Sequence, residues 1–129
     1  SQLKRLNQIK HKRKKIFEIY ENNLKKNKNI NFQKFTENVD ALVWTIGLRL
    51  NNKKKINRDK VIRELYKLNI EARNGFYSPN KLKIYKKFYS NDLKNSDNLS
   101  DNVICLPLFN KLKEKEIIYI CKKFNEIIG

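Results

Sequence analysis

Arg73 heads a turn of unusual make-up, R-N-G-F-Y-S-P at 73–79, in a chain whose cations are mostly lysine. A guanidinium offers a planar fork of donors that fits a carboxylate or a phosphate. Gly75 permits a sharp backbone turn directly after it. Phe76 and Tyr77 could wall an aromatic or sugar surface. Loops held on rigid scaffolds often bind ligands, so the spacing suits a binding turn, and it suits an ordinary surface turn as well. Other chemistry is scarce. Ser, His and Asp never cluster in a nucleophile–base spacing, and the lone histidine, His11, lies in the basic helical run KHKRKK. Gly47, Gly75 and Gly129 are too few and too far apart for a phosphate-binding loop. Glu114 and Glu116 read as residues of a helix start, where the dipole favours acids. Cys105 and Cys121 lack metal-ligand spacing and read as small apolar core residues rather than a disulfide. No catalytic residue and no metal site is assigned.

The elements that must position Arg73 follow from periodicity. Leu3, Leu6, Ile9, Ile16, Phe17, Tyr20 and Leu24 recur at helical steps and predict a helix over 1–26 that fades in the Asn-rich N-K-N-I-N. Leu42, Trp44, Ile46, Leu48 and Leu50 alternate with Val43, Thr45, Gly47 and Arg49, which predicts a strand over 41–50. A polar turn, N-N-K-K-K-I-N, precedes a helix that Asn57 caps and Asn69 ends in a left-handed conformation. Ile70–Arg73 is expected as a short strand, 82–88 as a short helix or irregular loop, and N-D-L-K-N-S-D-N-L-S-D-N as a polar loop. V-I-C-L-P-L at 103–108 predicts a third strand, and Ile117, Ile120, Cys121, Phe124 and Ile128 stripe a final helix over 113–128. The order α-β-α-β-β-α gives an α/β chain of α+β type, a small antiparallel sheet with helices packed against it.

With 129 residues the chain suits one domain, 1–129. Three Gly and two Pro leave little room for linkers, and no apolar run reaches the length of a membrane span. The start, S-Q-L-K-R-L-N-Q-I-K, lacks the apolar region of an export signal, so a cytoplasmic location is expected. The net charge of +17 admits a small basic nucleic-acid-binding module as the alternative function. The excess is scattered lysine accompanied by Asn and Ile, a pattern that an AT-rich gene also produces, so nucleic acid is not the favoured partner.

Four segments, in order, resemble the C-terminal domain of the DegT/DnrJ/StrS family of PLP-dependent nucleotide-sugar aminotransferases. Gln2, Leu3, Leu6, Ile9, Arg13, Ile16, Tyr20 and Leu24 are similar to its Q-L-x-x-L-x-x-I-x-x-x-R-x-x-I-x-x-x-Y-x-x-x-L helix. A-L-V-W-T-I-G-L-R-L resembles the strand after it, and R-D-K-V-I-R-E-L-Y-K-L-N-I-E-A-R-N-G-F-Y-S-P the family's R-D-x-x-x-x-x-L-x-x-x-G-I-x-x-R segment with its aromatic-proline turn. The stretch from N-L-S-D-N to C-K-K-F resembles the ending L-S-x-x-x-x-x-L-P followed by L-T-x-x-E-I-x-x-I. Asn69 stands for the usual Gly, Asn74 where Pro is frequent, Asn80 and Lys81 where His often follows the proline, and Lys113 for a capping Thr or Ser. The resemblance implies the small domain of fold-type I aminotransferases, a large PLP-binding domain absent from this chain, and no PLP bound by this chain alone. It implies Arg73, Phe76 and Tyr77 as substrate-binding residues facing a nucleotide-linked keto-sugar. The implied partners are the large aminotransferase domain or an intact aminotransferase, with homo-oligomerisation as the default assembly.

Overall fold

The computed structural model describes residues 2–51 and 56–129, without the side chain of Gln2. Ser1 and the lysine run at 53–55 of the expected polar turn lie outside the described residues. A 3-10 turn, Gln2–Arg5, leads into helix α1, Leu6–Leu24. Strands β1, Ile30–Phe32, and β2, Ile46–Leu50, follow, then helix α2, Arg58–Lys67, and strand β3, Arg73–Asn74. Three 3-10 turns over 79–93 lead to helix α3, Lys94–Asn102, strand β4, Val103–Leu106, and helix α4, Glu114–Ile128. The strands form one antiparallel sheet in the order β1-β2-β4-β3. The expected α+β class with a small antiparallel sheet is therefore the observed one.

The strand register explains the core. Alternate residues Ile46, Leu48 and Leu50 of β2, with Ile104 and Leu106 of β4, are buried, while Arg49 between them is exposed. Ile16, Tyr20 and Leu24 of α1, at helical spacing, join Ile117, Ile120, Cys121, Phe124 and Ile128 of α4 in the same cluster. Tyr20 is fully buried, and its hydroxyl donates to Pro107 O at 2.9 Å, so its one polar atom is satisfied. The first half of the expected α1 stripe is not core: Leu3 is 79% exposed and Leu6 is exposed too.

Local signals end the helices as expected in two places. The Asn57 side chain accepts from Lys60 N at 2.9 Å at the start of α2. Asn69, at φ 58°, closes it in a Schellman arrangement, with Asn69 N on Tyr66 O and Ile70 N on Leu65 O. That cap uses the Ile70 N–H, which shifts β3 from the expected 70–73 to Arg73–Asn74. At α4 the Glu116 carboxylate accepts from Lys113 N at 2.7 Å. The reciprocal half of the box is not made, since an ammonium has no lone pair to offer.

Three expectations are corrected. The strand over 41–50 begins only at Ile46, because β1 and β4 pair with 46–50 and no described strand lies beside 42–44. Leu42 and Trp44 are consequently exposed rather than core. The Asn-rich segment after α1 holds β1, whose three residues pair Ile30 with Leu50, Asn31 with Arg49 and Phe32 with Leu48. Asn29, there, is buried and donates from Nδ2 to Ile128 O and Gly129 O, tying the start of β1 to the end of α4. The polar loop over 91–102 is largely α3, held by tertiary contacts: Ser100 is buried, and Arg58 donates to its carbonyl.

Candidate functional site

Arg73 lies on the sheet edge, paired with Cys105 of β4. The next turn is forced close to that strand. Gly75 N donates to Val103 O at 3.1 Å, and a Cβ at Gly75 would lie 2.8 Å from Val103 Cγ1. Glycine is thus required here by close approach of two strands. The Arg73 side chain is exposed and engages Glu71, Nε at 3.0 Å from Oε1 with a second contact from the other guanidinium nitrogen. That hydrogen bond, and then the carboxylate's charge, raise the Arg73 pKa further above its ordinary value. An ion pair in open water contributes little, so a phosphate or carboxylate of a ligand can take Glu71's place at small cost.

Arg73 and Glu71 border a half-open groove of about 800 Å³ between the β3–β4 edge and the start of α4. Its floor is apolar, from Ile70, Leu106, Leu108 and Ile120, and Lys115, Glu116, Tyr119 and Phe109 complete its rim. Mixed charges around an apolar floor suit a ligand with hydroxyl and anionic groups on an apolar body. Cys121 is in the core as expected, whereas Cys105, also expected there, is half-buried and lines this groove; both are free thiols.

The three sequence candidates do not converge on this groove. Arg73 borders it, while Phe76 and Tyr77 are not among its lining residues. Phe76 is 82% exposed and meets Trp44 in a tilted ring contact, centroids 5.9 Å apart and planes at 40°. The Tyr77 hydroxyl accepts from Asn74 Nδ2 at 2.6 Å, which fixes the ring beside the turn. Trp44 is a neighbour that periodicity hid, because alternation placed it in the core. Glu71, Lys115 and Tyr119 also escape the sequence, since only the fold brings residues 70–73 and the start of α4 to one groove.

The segment after the turn is anchored at its ends. Asn80 Nδ2 donates to Ser90 O at 2.9 Å and to Asp97 Oδ2 at 3.1 Å, and Ser90 N donates back to Asn80 Oδ1 at 3.2 Å. Ser78 is buried; its hydroxyl, and then the Asn80 amide, hold the Asp97 carboxyl below its usual range. The Ser78 hydroxyl and Asp97 Oδ1 nevertheless lack a well-formed hydrogen bond. Lys81 pairs with Asp101 of α3. The polar pair Asn80–Lys81, which stands where the family pattern often has histidine, thus clamps the ends of 80–90.

A PLP site does not fit these residues. The group needs a sheltered lysine and a cradle of donors for its phosphate. Among the described residues Lys115 is the lysine that lines the groove, and it is exposed rather than sheltered. No step through PLP is assigned to this chain.

Sequence comparison with family profiles matches residues 1–125 to the DegT/DnrJ/EryC1/StrS aminotransferase family, and the chain belongs to that family. No curated protein matches it. Among solved structures, it is similar to one described as a sugar aminotransferase, Spr1654 of Streptococcus pneumoniae in the PMP form. The two are 25% identical with a TM-score of 0.84, over 98% of this chain and 32% of that one. Helicobacter pylori PseC, an aminotransferase in the biosynthesis of pseudoaminic acid, superposes with a TM-score of 0.88 at 16% identity, over 98% of this chain and 34% of PseC. The GDP-4-keto-6-deoxy-D-mannose-3-dehydratase of E. coli, seen with hydrated PLP, gives 0.83 at 19% identity, over 95% and 32%. The last two likenesses concern the fold alone. The chain spans about a third of the length of these structures. Among the described residues no helix is long and apolar enough to cross a membrane, and no group of metal-ligating side chains occurs.

Proposed function

We propose that the chain is the small C-terminal domain of a PLP-dependent sugar aminotransferase. It supplies one wall of the cleft in which a nucleotide-linked keto-sugar is held, and the chemistry belongs to a large domain that carries PLP. The observation that carries this reading is the match to about a third of a sugar aminotransferase, with Arg73 on the free edge of the sheet at a groove. Arg73 binds an anionic group of the substrate, exchanging Glu71 for it. Phe76 and Tyr77 cover the sugar or base from the adjoining turn. On this reading the chain alone transfers no amino group, since the lysine that carries PLP belongs to the large domain.

In an aminotransferase assembled with this chain, Arg73→Ala is expected to raise KM for the nucleotide-sugar about ten- to a hundredfold, the loss of one charge-assisted bond. The kcat should stay within about threefold, as the arginine would bind ground and transition states alike. Steady-state kinetics checks this, and an unchanged KM contradicts the role given to Arg73.

A further inference from the structure

A second hollow, of about 370 Å³, lies against the first half of α1 and shares no lining residue with the groove at Arg73. Arg5, Gln8, Ile9, Lys12 and Arg13 line it from the helix side. Their steps of three and four residues put them on one face of α1. Asn110 and Lys111 line it from the opposite side. These two are the central residues of a turn that Leu112 N closes on Phe109 O at 3.0 Å. Tyr20 of α1 donates to Pro107 O just before that turn, which holds the turn against the helix.

Two guanidinium groups and two ammonium groups meet here, and no carboxylate is among the lining residues. The groove at Arg73 has Glu71 and Glu116, and the hollow beside β1 has Glu21. Ion pairs among the described residues engage other cations: Lys10, Arg58, Lys67, Arg73, Lys81 and Lys123. Asp40, which reaches α1, is already held by Lys10. Arg13 is half-buried; one terminal nitrogen reaches Val43 O only at 3.4 Å, and Nε is buried with no hydrogen-bond partner among the described residues. A half-buried cation without a counter-ion is costly, and three like charges around it add repulsion. An anion in the hollow relieves both.

We propose that this hollow is a binding site for the diphosphate group of a small molecule. Each guanidinium fork fits the oxygens of one phosphate, and the two lysines supply the remaining charge. A lone carboxylate brings a single charge to four cations. A nucleic-acid strand carries one charge on each phosphate and follows an extended basic track rather than a compact hollow. Lys12 and Lys111 are exposed, so the hollow offers a phosphate cradle without the sheltered lysine that PLP requires. The site does not rest on the proposed function, and the Arg73 test leaves it untouched.

Isothermal titration calorimetry of the chain with pyrophosphate, in about 150 mM salt to screen diffuse attraction, tests the site. The expected result is one-site saturation with a Kd of about 1 mM or tighter. Orthophosphate should bind about tenfold more weakly, since it occupies one fork. Arg5→Gln with Lys111→Gln, both at exposed positions, should weaken pyrophosphate about tenfold or more. Lys83→Gln with Lys86→Gln removes the same charge from exposed positions elsewhere and should cost about twofold or less. Arg13→Lys keeps the charge but loses the fork, and should weaken binding about fivefold in a protein that circular dichroism shows to be folded. No saturation by pyrophosphate up to about 10 mM overturns the site. Equal losses in the two double variants overturn it too, because they would mean attraction by net charge alone. Orthophosphate binding as tightly as pyrophosphate contradicts the diphosphate assignment. A 20-nucleotide oligo-dT that displaces pyrophosphate, and whose affinity falls in the Arg5–Lys111 variant, would give the hollow to nucleic acid instead.

Discussion

Truncating Phe124 to alanine is expected to cost about 3–5 kcal/mol of stability, the range for removing a buried aromatic from a packed core. Phe124 is fully buried on α4, in the cluster shared with Tyr20 and Leu24 of α1 and with the β2–β4 centre of the sheet. Its ring packs in the cluster where helices meet sheet, and alanine leaves a cavity there. Domains of this kind are stable by roughly 5–15 kcal/mol, so the variant should lose much of its margin. Urea unfolding followed by circular dichroism measures the difference. Tyr66→Ala, at a position exposed to solvent, should change the midpoint little. A loss below about 1 kcal/mol for Phe124→Ala would mean that α4 does not pack as described.

Alkali is expected to unfold the protein well before it would harm a core without ionisable groups. Burial pushes the Cys121 thiol up from 9.0 to about 12. Burial, and then the nearby Cys121, push the Tyr20 phenol above its ordinary 10.0. Both groups are neutral when protonated, and in the unfolded chain they ionise at their ordinary values. Above pH 9 the unfolded state therefore gives up protons that the native state keeps, and stability falls as pH rises. Each group contributes a slope of about 1.4 kcal/mol per pH unit, so the loss approaches about 4 kcal/mol by pH 11. Below pH 9 neither contributes a slope. Urea midpoints from pH 8 to 11 test this, with Cys121→Ala and Tyr20→Phe as controls that should each flatten the decline. A wild-type curve that stays level to pH 11 contradicts the burial of both groups.

Much of this fold is legible where a residue's own chemistry decides the outcome. Asn57 and Asn69 end α2 because an amide can accept from a free N–H and tolerate a left-handed backbone. The stripe Ile117–Ile120–Cys121–Phe124–Ile128 is core because its spacing leaves it no other side. The sequence misleads where a partner decides. Trp44 alternates correctly with Ile46 and Leu48, yet neither neighbouring strand reaches it, so it leaves the sheet and meets Phe76. β1 is three residues long and exists through β2, and α3 is a run of Asn, Ser and Asp that helix propensity would not favour. For the site, Arg73 was legible as the arginine of a glycine turn. The groove it borders was not, because Lys115 and Tyr119 reach it from α4, more than forty residues away.

In the proposed function this chain offers a wall for the substrate and no seat for the cofactor. Trapping with borohydride in the presence of PLP tests it most directly, with peptide mapping to show which lysines carry the reduced adduct. The expected result is substoichiometric labelling spread over many exposed lysines, unchanged when the protein is unfolded in urea. One lysine labelled stoichiometrically in the folded chain, and lost on unfolding, would reveal a built site and contradict the account.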